Sequence, residues 1–287
     1  MNKTKLLLER IRVSVDASDE TIANKAREKM KRAGINPSTL HFRLYKKSID
    51  ARNREDIRFE CAVLAEGELP KRALEADFLS RMQARIITEE EPNLTFGSQS
   101  IAAPPVVVGM GPAGLFAALL LAQNGYAPIL IDRGGSIAER AADVTRFRNE
   151  GVLNTECNVQ FGAGGAGTFS DGKLITRIND PLCNYVLRSL ITFGAPEDIA
   201  VKAKPHIGTD ILRVVVDNIL TEIERLGGRV LYHCRMDAIL ENADKTLTVK
   251  TTKGDFVAGS LLLAPGHSAR DTYRYLIKQN YAIEAKP

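Results

Sequence analysis

The chain has 287 residues, of which 44% are hydrophobic and 26% charged, and a formal net charge of +4. That length accommodates two domains with a sizeable core, and the small charge gives nucleic-acid binding no compositional support. The four cysteines, Cys61, Cys157, Cys183 and Cys234, form no C-x-x-C pair. This argues against a metal site or a redox disulfide and for a reduced, cytosolic setting. The longest apolar run, 115–122, is far below the ~20 residues of a membrane span. Residues 1–15 hold too short an apolar core and too early an acid for a secretory signal. A cytoplasmic protein without a membrane span is expected.

Residues 1–98 read as a small first domain. Alternation at 11–15 predicts a strand, and Asp19 is the predicted N-cap of a helix over 20–33 that Gly34 ends. Strands at 40–49 and 57–65 follow, joined by the turn-rich SIDARNRED. The β-α-β-β order indicates an α+β layer of the ferredoxin-like or split-βαβ kind. The basic cluster Arg43, Lys46, Lys47, Arg52, Arg54 and Arg58 is interrupted by Asp50, Glu55 and Asp56. It reads as a solvated strand face, with an anion or partner site as the alternative. A short helix is predicted at 72–81. The stretch EEEPNLTFGSQSIAAPP is acidic, then rich in Pro, Gly and Ser, and marks the linker into a second domain, 99–287.

The second domain opens with PVVVGMGPAGLFAALLLAQNGYAPILIDRG. The β-branched run 106–108 predicts a buried strand. Gly109, Gly111 and Gly114 follow at G-x-G-x-x-G spacing, with Pro112 suited to the first helical position and Ala113 beside it. An apolar helix is predicted over 115–123, capped near Gly125. A second strand at 128–131 then delivers Asp132, 18 residues after Gly114. Strand, tight turn, helix, strand and acid in this order describe a dinucleotide-binding unit. Each glycine has its reason. Gly109 permits the sharp turn, Gly111 keeps side chains away from a pyrophosphate, and Gly114 lets helix and sheet pack closely. The helix N-terminus offers N–H groups and a positive dipole end, and Asp132 would accept hydrogen bonds from ribose hydroxyls. A glycine-rich turn in a purely structural βαβ is the alternative.

A helix is predicted at 137–150, with Arg140, Arg146 and Arg148 among its basic positions. In NVQFGAGGAGTFSDGKLITRI, Gly162, Gly164, Gly165 and Gly167 crowd six positions, too densely for a packed strand or helix. Such a loop can form a backbone nest for phosphate or a flavin edge. Ser170, Asp171 and Lys173 would be in reach, and Val159, Phe161 and Phe169 would anchor it. A flexible surface loop is the competing reading. Cys157, just before the loop, reads as a packed free thiol, and His206 suits a structural or a functional role equally. An amphipathic helix at 209–226 with Thr209 as N-cap comes next. A parallel strand at 230–233, a three-stranded meander over 236–258, a buried strand at 261–264 and a helix at 271–281 complete the chain.

A β-meander inserted after the third parallel strand, followed by an apolar strand closing on glycine, resembles the FAD domain of the two-dinucleotide-binding-domain flavoproteins. Together VVVGMGPAGLFAALLLAQNGYAPILIDRG, QFGAGGAGTFSDGKL, KPHIGTD and LLLAPGHSARDT resemble bacterial FAD-dependent dehydrogenases that carry a small α+β extension before the FAD domain. The resemblance implies an α/β, Rossmann-like FAD-binding parallel sheet with a β-meander insertion, preceded by a ferredoxin-like domain. It implies an FAD-dependent oxidoreductase, with NADH or NADPH as the candidate electron donor. Gly109, Gly111, Gly114 and Asp132 carry over as cofactor-binding positions, and Arg133 matches the basic partner of the acid beside the FAD adenosine. Gly164, Gly165, Ala166, Gly167 and Thr168 match the loop, and Gly266 the second strand-to-glycine motif. The resemblance supplies no catalytic residue and no substrate.

Such flavoproteins continue into a substrate-binding sheet and return with a late Gly-Asp motif. Only 21 residues follow Gly266, and none resembles that return, so the chain reads as the N-terminal portion of a longer protein. Two rival readings stay open. One is an NAD(H)-dependent enzyme without flavin, for which Asp132 predicts preference for NADH over NADPH. The other is a non-catalytic nucleotide-sensing or partner-binding module.

Overall fold

The computed structural model describes residues 4–87, 95, 97–98, 100–170, 172–174, 176, 178 and 180–285. Residues 89–94, 96 and 99 of the expected linker at 89–105, and Asp171, lie outside the described residues. The chain divides into two compact units. The first comprises Met1–Leu94, Lys173–Ile191 and Pro196–His206, and the second Thr95–Gly172, Thr192–Ala195 and Ile207–Pro287.

The first unit is built on a four-stranded antiparallel sheet of order β2-β3-β1-β4, with β1 Thr4–Ser14, β2 Leu40–Asp50, β3 Arg58–Gly67 and β4 Ala84–Ile87. Helix α1 (Asp19–Arg32) links β1 to β2, and helix α2 (Ala76–Met82) links β3 to β4. This is the split-βαβ, ferredoxin-like order. Leu6, Leu8, Ile11 and Val13 of β1 all enter one core with Ile22, Ala26 and Met30 of α1 and Phe78 and Met82 of α2. Strict alternation would turn Arg10 and Arg12 into that core. A bulge between Leu8 and Ile11 adds one residue against β3 and resets the parity. Arg10 takes up the kink at φ 54°. The strand is therefore longer than the 11–15 pattern suggests, because alternation is visible only on one side of the bulge and Leu7 packs on the opposite face.

Ser18 caps α1, accepting from the Thr21 N–H at 3.2 Å, and Asp19 is the first helical residue. Strand β4 and the helix α5 at Pro181–Thr192 were not anticipated. The former is four residues long and gains its identity only from pairing with β1.

In the second unit, β5 (Val106–Val108), β6 (Ile129–Ile131), β7 (Arg229–Leu231) and β11 (Leu261–Leu263) form a parallel sheet of order β11-β5-β6-β7. Numbered within the unit, this is the 3-2-1-4 order of doubly wound dinucleotide-binding sheets. Helix α3 (Pro112–Gln123) follows β5, helix α4 (Ile137–Glu150) follows β6, and α6 (Thr209–Arg225) precedes β7. The antiparallel meander β8 (Met236–Glu241), β9 (Leu247–Thr251) and β10 (Gly254–Ala258) stands between β7 and β11, and α7 (Arg270–Lys278) ends the unit. Val106, Val108, Ile129 and Ile131 share a core with Met236, Ile239 and Val249 of the meander and Leu276 of α7. Val107 and Leu130, on alternate positions, are also fully buried. Burial on both faces explains why these strands read as unbroken apolar runs. Gly208, not Thr209, is the N-cap of α6 and makes no side-chain cap. Among the described residues no helix is long and apolar enough to cross a membrane.

Candidate functional site: the glycine turn and the glycine-rich loop

The crevice at the carboxyl ends of β5 and β11 is where the strand order reverses, the ligand position of open α/β sheets. Gly109 leaves β5 at φ 102°, and its N–H donates to Ile131 O at 2.7 Å. A Cβ on Gly109 would overlap Ala264 O on the β11 side. One on Gly114 would overlap Gly109 O and stand 3.4 Å from Val107 Cγ1. Gly111 differs. It is the N-cap of α3 with ordinary dihedrals, and a Cβ there meets nothing within 4 Å. Its carbonyl accepts the first in-helix bond, from Leu115 N–H at 2.9 Å, which leaves the first-turn N–H groups of Ala113 and Gly114 without an intrahelical partner. Pro112 at N1 has no N–H to satisfy.

Asp132 is buried, 7% exposed, at the end of β6. One carboxylate oxygen accepts the Met110 N–H at 2.8 Å and the other the Gly134 N–H at 2.8 Å. The acid that the sequence suggests as a ribose acceptor thus holds the glycine turn to the exit of β6. Asp132→Ala leaves two buried N–H groups without acceptors, at about 1–3 kcal/mol each. Denaturant unfolding should show a loss of about 2–6 kcal/mol; an unchanged midpoint would show that water replaces the carboxylate.

Arg133 is committed inside the chain. Its guanidinium donates to Asp271 at 2.9 Å, lies 3.8 Å from Glu156 and stands over the Phe161 ring at 4.6 Å. Gly109, Asp132, Arg133, Phe161 and Pro265 line a narrow cavity of about 20 Å³ at this edge of the sheet.

The glycine-rich loop is seated on the turn. Gly164 N–H donates to Met110 O at 2.8 Å, and Ala163 N–H to Gly135 O at 3.1 Å. Gly165 sits at φ 61°, and a Cβ on it would stand 2.8 Å from Gly111 Cα, so only glycine allows this approach. Ala166–Phe169 form a 3₁₀ turn, Thr168 is buried, and Gly167 has open space where a side chain would project. Gly266 likewise faces open space, and its carbonyl accepts from the Tyr273 hydroxyl at 3.2 Å.

What holds the loop is one of the three basic positions of α4. Arg140 of α4 is fully buried (0% exposed). Its Nε donates to Asn158 O at 2.9 Å. Nη2 donates to Val159 O at 2.9 Å and Gly165 O at 2.8 Å. Nη1 donates to Thr168 Oγ1 at 2.8 Å and to Ala163 O. The guanidinium also lies 4.6 Å from the Phe169 ring centre, as does that of Arg213 on α6. Burial pulls the Arg140 pKa down to about 10, against the attraction of Asp132, so the side chain is charged at neutral pH. The only signal in the sequence is its place on the apolar side of α4, between Ile137 and Val144, both buried.

Cys157 is buried, its Sγ accepts the Gly135 N–H at 3.3 Å, and burial pushes the thiol up to about 11. It is an inert packing thiol in this environment. His206 is exposed and bridges to Lys173 within the first unit. In the basic cluster of the first unit, Lys47 pairs with Asp19, Arg52 with Asp50 and Arg58 with Asp56.

Residues 8–66 match a family model described as Domain of unknown function (DUF8436). A relative from Clostridium beijerinckii, described as an uncharacterized protein, is 41% identical over 280 residues. That alignment covers 96% of this chain and 51% of the relative, so the chain spans about half the relative's length. Among solved structures, the Thermovibrio ammonificans THI4 matches at 15% identity, 63% coverage of both chains and a TM-score of 0.40. A Lactococcus lactis thioredoxin reductase matches at 16% identity, covering 57% of this chain and 35% of its own, with a TM-score of 0.33. A structure of OTEMO in complex with FAD and NADP matches at 16% identity, covering 58% and 26%, with a TM-score of 0.36.

Proposed function

We propose that the second unit binds FAD and belongs to an FAD-dependent oxidoreductase, or is the FAD-binding part of one. The observation that carries this reading is the difference between the three motif glycines. Gly109 and Gly114 are required by the protein's own backbone, whereas Gly111 opens onto free space at a helix N-terminus. A glycine that the fold does not need, beside N–H groups without a partner among the described residues and a positive dipole end, fits a pyrophosphate cradle.

The surroundings fit the same group. The loop around Gly164, Gly165, Ala166, Gly167 and Thr168 closes on Gly111 and would border the ligand. Arg213 Nε is buried without a hydrogen-bond partner among the described residues, a donor available beside that loop. In this reading Gly111, Pro112, Ala113 and Gly114 receive the pyrophosphate. Asp132 keeps lone pairs for a ribose hydroxyl while it fixes the turn, and Gly266 lets the second strand end close to the cofactor. Arg133, fixed by Asp271 and Glu156, holds the adenosine side of the crevice. A bound flavin supplies hydride or single-electron transfer, with NADH or NADPH as the candidate donor. The chain's contribution is to bind, orient and shield it, and no catalytic residue is assigned.

The test is FAD reconstitution of the 287-residue chain, read by visible absorbance and thermal shift. FAD should bind and raise the melting temperature. Gly111→Val should weaken FAD binding by more than about 100-fold, equivalent to about 2.8 kcal/mol. The same variant should cost the fold no more than about 1 kcal/mol, the penalty of a poor N-cap residue. Unchanged FAD affinity in Gly111→Val, or a thermal shift with NADH and none with FAD, overturns the reading.

A further inference from the structure

The bulge in β1 resets the strand. Beside it lies a cleft of about 700 Å³ in the first unit, lined by Arg10, Arg12, Lys25, Lys29, Arg32 and Arg81 together with the apolar Ile11, Ala33, Phe78 and Met82. One carboxylate, Glu28, shares the lining, and it pairs with Arg32 at 3.4 Å. Arg12 pairs with Glu60 at 3.4 Å. The other four cations have no ion pair among the described residues.

Their arrangement follows from the backbone. Lys25 and Lys29, one turn apart on α1, donate to Arg12 O just beyond the bulge and to Glu9 O within it. Bonds to neutral carbonyls fix these ammonium groups without cancelling their charge. Burial lowers the Lys29 pKa although the Glu9 carboxylate, engaged by Arg85 at 3.1 Å, pulls the other way. Arg10 and Arg81 have no hydrogen-bond or ion-pair partner among the described residues, so their guanidinium forks are open. Two residues of the lining carry left-handed backbone, Arg10 at φ 54° and Gln83 at φ 47°, and the Glu9 N–H to Gln83 O bond of 2.9 Å ties them together. Non-glycine residues held in that region cost free energy and cluster at binding sites, and bulges are used to re-aim side chains beside such sites.

We propose that this cleft binds a small organic anion carrying two or more negative charges on an apolar or aromatic body. Its volume lies within the range of small-molecule sites, about 300–1,000 Å³. Open guanidinium forks match phosphate and carboxylate oxygens bidentately, and the apolar lining gives the body of the ligand a surface that water does not contest. The site belongs to the first unit, and its existence does not depend on FAD binding in the second.

The test uses the full chain and three probes by titration calorimetry at low salt: 1-naphthyl phosphate, 1-naphthol and inorganic phosphate. The aromatic phosphate should bind at least about tenfold more tightly than either fragment, and its affinity should fall as salt is raised. The double variant Arg10→Asn, Arg81→Gln removes both open forks. Asparagine tolerates the left-handed backbone, so the bulge is kept. Affinity should drop at least about tenfold with an unchanged melting temperature. In a sample labelled at the methionine methyls, the Met82 resonance should shift on titration while those of Met110 and Met236 in the other unit stay in place. Absence of binding to the parent chain, undiminished binding to the double variant, or shifts at Met110 or Met236 without Met82 each overturn the proposal.

Discussion

Arg140→Met should loosen the glycine-rich loop and lower the stability of the second unit by about 3–5 kcal/mol, the scale for losing a buried hydrogen-bond network. Methionine keeps the length and apolar stem of the side chain, so the loss isolates the guanidinium. Four carbonyls and the Thr168 hydroxyl lose a charged donor at once. Thr168 Oγ1 still donates to Gly165 O at 2.9 Å, so that one acceptor keeps a partner. The carbonyls of Asn158, Val159 and Ala163 lose their Arg140 donor. The expected signature is local before it is global. Hydrogen exchange over 158–168 should accelerate by orders of magnitude, because the loop can open without unfolding the parallel sheet. Arg140→Lys should rescue little, since an ammonium has three donors and no planar fork to span five acceptors. Unaltered exchange in the loop of Arg140→Met would show that the glycines hold it unaided.

Gly114→Ala should prevent the second unit from folding, or cost it more than about 3 kcal/mol through overpacking. The added methyl group would coincide with Gly109 O and press on Val107 Cγ1. Neither neighbour can give way. Gly109 is pinned by its N–H bond to Ile131 O at 2.7 Å and by its left-handed φ, and Val107 is fully buried in the central strand. Soluble yield and the denaturant midpoint measure the outcome. The contrast with Gly111→Val is the informative part. Two glycines three residues apart in one motif should separate, one removing the fold and the other only the ligand. Equal stability losses in both variants would mean that Gly111 also serves the backbone.

Periodicity and glycine spacing made the frame of both units legible. The strand at 106–108, the helix at 137–150 and the meander stand where their apolar patterns put them, and the strand predicted at 128–131 forms over Ile129–Ile131. Local chemistry is enough for this, since a strand buried on both faces needs an unbroken apolar run and a helix start needs a side-chain or glycine cap. Short elements were less legible. Four-residue β4 has no period of its own to read, and the caps moved by one residue because Ser18 and Gly208 are about as good N-cap residues as the Asp19 and Thr209 that follow them.

What the sequence by itself determined is therefore the β-α-β-β run of the first unit, the Rossmann-like order of the second and the glycine turn between β5 and α3. Only the tertiary structure decided what the polar residues do. Asp132 spends its carboxylate on two backbone N–H groups, Arg140 becomes the buried hub of a loop 18 to 28 residues away, and Arg10 is turned out of the core by a bulge. The reason is physical. Apolar pattern is a property of neighbours along the chain, whereas a buried polar group must find whichever partners folding brings within about 3 Å, and those partners are distant in sequence.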